Sequence, residues 1–249
     1  MPESIAIAAL PLLSDPRHLV TALVVTLLFA AAARFVRGVT RSGAAAGAII
    51  AFILYAGGGP GAFLVLIALF AVTWLATRMG FTRKQRAGTA EKSDGRNAYQ
   101  VIANLGMAGL AILLFAFTGR NVFMICFVAA LAEAAADTVS SEFGQAISDR
   151  ARLITTWELV PAGTDGGITI AGCVSGLIAA ALIAGVAGAV GLLGVHRIWL
   201  PALAGTLGML FDSVLGATLE RRRGLNNDAV NFLSTAIAAA LAAILSMLI

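Results

Sequence analysis

The chain has 249 residues, 59% of them hydrophobic and 12% charged, with 17 Lys and Arg against 13 Asp and Glu for a net charge of +4. A soluble domain is about 25% charged, so this composition and a mean hydropathy of +0.93 exclude a soluble globular enzyme, a disordered chain and a disulfide scaffold. Four uncharged runs, 42–77, 97–119, 166–195 and 229–249, each exceed the ~18 apolar residues that a bilayer-crossing helix needs, which points to a polytopic integral membrane protein.

The pattern predicts an all-α fold, a single transmembrane domain over 1–249 with about eight spans at 17–36, 44–56, 60–77, 101–118, 121–136, 168–194, 200–216 and 231–249. Met1-Pro2-Glu3-Ser4 carries no basic stretch, so no cleavable leader is expected. The second span is short and ends in Gly57-Gly58-Gly59-Pro60-Gly61, which reads either as a tight turn between helices or as a broken, re-entrant segment. Gly43 and Gly47 make a GxxxG spacing that lets helices approach closely; with the Ala-rich faces it permits a homodimer. Cys126 and Cys173 sit in apolar stretches without a CxxC and read as small packing residues.

With the N-terminus outside, 14 of the 17 basic residues fall on the inner side and only Arg17, Arg120 and Arg197 outside. This is the positive-inside pattern, so the basic charge is topogenic and no nucleic-acid partner is expected. The inner connections, 78–100, 137–167 and 217–230, are long and polar, whereas outer ones such as 119–121 are tiny. Long connections tend to carry function, so the chemistry is expected at the cytoplasmic face, in a bacterial inner (plasma) membrane.

Four polar groups stand out. Glu133, Asp137 and Ser141 fall at i, i+4 and i+8, on one helix face, and with Glu142 they suit a hard cation such as Mg²⁺, which binds through carboxylates and phosphate oxygens. Glu133 interrupts an apolar span, where an ionisable group marks a functional position by default. Gly163-Thr164-Asp165-Gly166-Gly167 precedes a long apolar helix, a backbone pattern that can cradle phosphate at a helix N-terminus. Asp212 interrupts the seventh span, and Asn226, Asn227, Asp228 and Asn231 crowd the start of the last, with Asn227 or Asp228 as its N-cap. Arg96, Asn97, Gln100 and Asn104 run at helical spacing into a span; arginine binds phosphate through a planar fork. Asp137-Thr-Val and Asp212-Ser-Val echo each other. The chain lacks GxxxxGK[ST], HExxH and a G-x-S-x-G elbow, and His18 and His196 fall on the outer side.

The series Gly95-Arg96-Asn97-Ala98-Tyr99-Gln100, Ala136-Asp137-Thr138-Val139-Ser140-Ser141-Glu142-Phe143-Gly144, Gly163-Thr164-Asp165-Gly166-Gly167-Ile168-Thr169, Asp212-Ser213-Val214-Leu215-Gly216-Ala217-Thr218 and Asn226-Asn227-Asp228-Ala229-Val230-Asn231 resembles one integral-membrane family. That family includes the phytyl-phosphate kinases of photosynthetic organisms and is distantly similar to CTP-dependent dolichol and phytol kinases. The resemblance runs from about residue 34 to the C-terminus. It implies phosphoryl transfer from a nucleoside triphosphate, CTP first among them, to a prenyl or phytyl monophosphate in the membrane lipid. It further implies that Asp137, Glu142 and Asp212 hold Mg²⁺, with Glu133 and Asp165 in reserve. Gly163, Thr164, Gly166 and Gly167 would cradle the triphosphate, with Ser141 beside them. Arg96, Asn97 and Asn104 would orient a phosphate, and Asn227, Asp228 and Asn231 would complete the nucleotide end. A nucleotidyltransferase making a CDP-activated lipid and a small transporter are the alternatives left open.

Overall fold

A computed structural model describes residues 15–88 and 94–248, the side chains of 83, 86 and 87 excepted; the leader reading at Met1–Ser4 and the charge of Lys92 lie outside them. Helix α1 (Pro16–Phe35) opens on Asp15, whose carboxylate accepts the Arg17 N–H at 2.9 Å, with Pro16 at its first position. It is followed by α2 (Arg41–Arg78), α3 (Phe81–Ala87), α4 (Ala98–Thr118) and α5 (Asn121–Ile147). Three short strands come next, β1 (Arg150–Leu153), β2 (Leu159–Pro161) and β3 (Gly167–Ile168), then α6 (Ile170–Ala189), α7 (Trp199–Leu215) and α8 (Asn227–Met247). Among the described residues, seven helices are long and apolar enough to cross a membrane.

One of the seven is double. Helix α2 has 38 residues and, if straight, would run about 57 Å, nearly twice the ~30 Å hydrocarbon core. It is broken at Gly59, with φ 73° and ψ −176°, just before Pro60. The Trp74 Nε1–H and the Arg78 guanidinium both donate to the Val36 carbonyl, at 3.2 and 2.8 Å. The far end of α2 thus returns to the chain just ahead of its start. Helix α2 is a hairpin of antiparallel halves, 41–58 and 60–78, and the glycine run is its tight turn rather than a re-entrant segment. The backbone angles of Gly59 belong to a region almost closed to other residues, at a cost of ~1–3 kcal/mol. Gly59→Ala is therefore expected to lower the melting temperature in detergent, and an unchanged melt would count against the hinge.

Helix α5 forms the axis of the bundle: apart from Asn121, Val122 and Phe123, its residues as far as Ala136 are buried. Close approach comes from bare backbone on α7, where a Cβ on Gly205 would come within 2.8 Å of the Glu133 nitrogen. The end of α5 departs from expectation. It continues to Ile147, beyond the predicted 136, so the connection thought to start at 137 is helical for three further turns. The chain then enters a small antiparallel sheet of order β2-β1-β3. The alternation Arg150-Ala151-Arg152-Leu153, with Ala151 and Leu153 buried, is the period-two signal of a half-buried strand inside an otherwise helical chain. Helix α7 ends in a π-turn at Gly216–Glu220, a device that often marks functional sites. The sheet, the π-turn, α3 and the paired ends of α2 all gather at one end of the bundle.

Candidate active site

Arg96 is set by its backbone before its side chain does anything. Its N–H donates to the Gly38 carbonyl at 3.1 Å and its carbonyl accepts the Thr40 N–H at 2.9 Å, a strand-like bridge to Val39. A Cβ on Gly43 would lie 2.2 Å from that same carbonyl, so the approach requires glycine. Next, Asn97 and Gln100 form a capping box, Asn97 accepting the Gln100 N–H at 3.1 Å while Gln100 accepts the Asn97 N–H at 2.9 Å. Fixed this way at the head of α4, the Arg96 guanidinium reaches α5 and donates to the Thr138 hydroxyl at 3.0 Å, beside Asp137.

Around that guanidinium lies a polar cavity of about 520 Å³, within the ~300–1,000 Å³ usual for ligand sites. Helix α5 lines it with Asp137, Ser141 and Glu142, α7 with Asp212, the π-turn with Glu220, α8 with Asn227 and Asn231, and α4 with Asn104. The loop Gly163–Gly167 forms another wall, its turn closed by Thr164, whose hydroxyl donates to the Pro161 carbonyl (2.7 Å) and whose carbonyl accepts the Gly167 N–H (2.8 Å). The two echoing segments, Asp137-Thr-Val and Asp212-Ser-Val, thus present their carboxylates to one cavity from adjacent helices.

Three residues expected at the site line neither cavity described here. Asn97 is committed to the cap of α4. Asp228 stands in the first turn of α8, where a carboxylate favours the positive end of the helix dipole; the N-cap of that helix is Asn226, not Asn227 or Asp228, accepting the Ala229 N–H at 2.9 Å. Glu133 lies behind the cavity, 1% exposed, against Gly208 and within reach of Ser234. Glu142 is not a free carboxylate: it pairs with Lys84, whose ammonium also donates to the Thr77 carbonyl at 2.8 Å. Lys84 is 1% exposed, and this buried pair and Glu220 were not singled out by the sequence. The period of α3 could have shown Lys84 turning inward; nothing in the sequence brings Glu142 to it.

A second cavity, of about 390 Å³, abuts the first. Its walls are apolar side chains of α1, both halves of α2 and α4, among them Phe29, Leu66, Phe70, Val101 and Leu105. The two cavities share Arg96, Gln100 and Asn104. An apolar compartment therefore ends on a guanidinium that also faces a carboxylate-lined chamber.

Residues 24–239 match the family described as integral membrane protein DUF92. The chain belongs to that family. A protein of Methanocaldococcus jannaschii named only as an uncharacterized membrane protein is 36% identical over 204 residues, 81% of this chain and 83% of its own length. Another so named, from Synechocystis, is 32% identical over 199 residues, 78% and 77% of the two chains. The chloroplastic protein VTE6 of Arabidopsis thaliana is 29% identical over 223 residues, 86% of this chain and 67% of its own. No solved structure matches the chain. The membrane architecture and the family read from the five motifs are both borne out.

Proposed function

We propose that this DUF92 protein is a nucleoside-triphosphate-dependent kinase, using CTP, that converts a prenyl or phytyl monophosphate to the diphosphate. The observation that carries the reading is the shared wall: an apolar compartment suited to an isoprenoid tail meets a polar chamber suited to a triphosphate, and Arg96 stands between them. In this arrangement the tail lies against Phe29, Leu66 and Phe70, which brings the lipid phosphate to Arg96 and Asn104. The Gly163–Gly167 loop, Asn227 and Asn231 take the nucleotide. An oxygen of the acceptor phosphate attacks the terminal phosphorus of the nucleotide, the bond to the bridging oxygen breaks, and the nucleoside diphosphate leaves. The acceptor is already ionised, so the step needs alignment and charge neutralisation rather than a strong base. Arg96 supplies both through its planar, two-pronged donor set.

The residues present also suit Mg²⁺. Among the described residues no group of three His, Cys, Asp or Glu stands close enough to enclose a metal by itself. However, one buried oxygen of Asp212 has no hydrogen-bond partner, and Asp137 shares its chamber. Two carboxylates plus phosphate oxygens are what Mg²⁺ ordinarily takes, so Asp137 and Asp212 would hold it, with Glu142 kept by Lys84. When bound, the ion would neutralise charge on the transferring phosphates. The positive-inside asymmetry supports a site facing the cytoplasm; the membrane proposed is a bacterial inner (plasma) membrane.

The test is product analysis with purified protein, Mg²⁺, CTP and phytyl or geranylgeranyl monophosphate. CDP and a prenyl diphosphate are expected in equal amounts. Pyrophosphate release would convert the reading to a CDP-lipid transferase. Absence of turnover, with no thermal stabilisation by any nucleotide, would discard the kinase and favour transport. A nucleotide present at 100 times its dissociation constant adds about 2.7 kcal/mol to stability, which a melt registers.

A further inference from the structure

We propose that a column of aromatic rings between α1 and α2 forms the floor of the apolar compartment and limits the length of isoprenoid chain the protein accepts; this rests on the prenyl-phosphate reading above. The compartment begins at Arg37, Arg78 and Arg96, at the polar end of the bundle. Its lining residues stop at Phe29 on α1 and Leu66 on α2. From Arg78 to Leu66 is twelve helical residues, so the compartment is about 18 Å deep.

Beyond that depth the interface is filled. The Phe29 ring packs edge-on against Phe63 and Phe70, each at 5.4 Å between centroids. Phe63, buried one turn past Leu66, meets Tyr55 at 5.6 Å, and Tyr55 meets His18 at 5.4 Å. His18 Nε2 in turn lies 3.2 Å from the Ala56 carbonyl beside the α2 turn. Rings thus run in contact from the end of the compartment to the opposite end of the bundle, so along this interface a chain reaching Phe29 meets side chains rather than open space. Packed side chains do not yield cheaply to an extra isoprene unit.

The experiment compares wild type with Phe29→Ala and Phe63→Ala on farnesyl, phytyl and geranylfarnesyl monophosphates. Two quantities are read: kcat/KM with Mg²⁺ and CTP, and thermal stabilisation by each lipid without nucleotide. Wild type is expected to discriminate against the longest chain. Opening the floor should raise the ratio of longest to phytyl chain by about tenfold or more, the scale on which an apolar pocket counts methylenes, and shift the stabilisation series the same way. An unchanged chain-length profile in folded variants, in both readouts, overturns the floor. Should wild type phosphorylate none of the lipids, the kinase reading falls, while the stabilisation series alone still decides whether these rings set chain length. Phe63→Leu serves wherever alanine fails to give monodisperse protein.

Discussion

Arg96→Ala is expected to lower turnover of a prenyl monophosphate by about 10²–10³-fold, the usual cost of removing one donor aimed at developing charge, without unfolding the protein. The backbone of residue 96 is held by Gly38 and Thr40 whatever side chain it carries, and the residue is only half-buried. Arg96→Lys is expected to restore little. A lysine keeps the charge but presents a single compact point, whereas bridging the Thr138 hydroxyl and a phosphate uses the width of the guanidinium fork. Steady-state kinetics on both variants, with melts as the folding control, decide the matter. Activity within about threefold of wild type in the alanine variant would remove Arg96 from the reacting centre.

Asp212→Asn should abolish turnover and the Mg²⁺-dependent stabilisation by nucleotide while leaving the ligand-free protein at least as stable as wild type. The reason is crowding. Asp137 and Asp212 line one chamber with Glu133 buried behind it, and one oxygen each of Glu133 and Asp212 is buried without a partner among the described residues. A structure that tolerates this arrangement without ligand gains from losing one of the charges, by about 1 kcal/mol on the scale of relieved active-site strain. Asp137→Asn should behave alike in turnover. The combination of lost activity and retained or raised melting temperature separates a ligand-holding carboxylate from a structural one, whose loss would lower both. Full activity in both variants would end the metal assignment.

Much of this site is visible in the sequence because its residues interrupt apolar helices. Asp212 has no reason to lie in such a span except to face something polar, and Asp137 follows the interrupting Glu133 by one helical turn; the polar chamber is where both aspartates point. The glycine run before Pro60 likewise announces a break, which the return of α2 to Val36 makes a turn. What stays hidden is anything decided between distant segments. Spacing places Glu133 and Asp137 on one face of α5, but only the packing of α7 and α8 shows that Glu133 sits behind the chamber while Asp137 opens onto it. Lys84 reads as one more loop charge until α3 turns it onto Glu142, 58 positions away. Asn97 resembles a ligand donor and is spent on a helix cap. The sheet escaped because its alternation spans only four residues between much stronger helical signals.

The central position of α5 has a consequence for how such a chain can change over time. Every face of this helix from Met124 to Ala136 is enclosed, and its site residues are counted from there. Inserting or deleting one residue in that stretch would rotate everything after it by about 100° and carry Asp137, Ser141 and Glu142 away from the chamber together. No single compensating substitution reverses a rotation. Length variation is therefore tolerable only past the helix end, in the sheet hairpin around Thr155 and Thr156, where exposed backbone absorbs extra residues. The helix acts as a ruler whose marks cannot be renumbered.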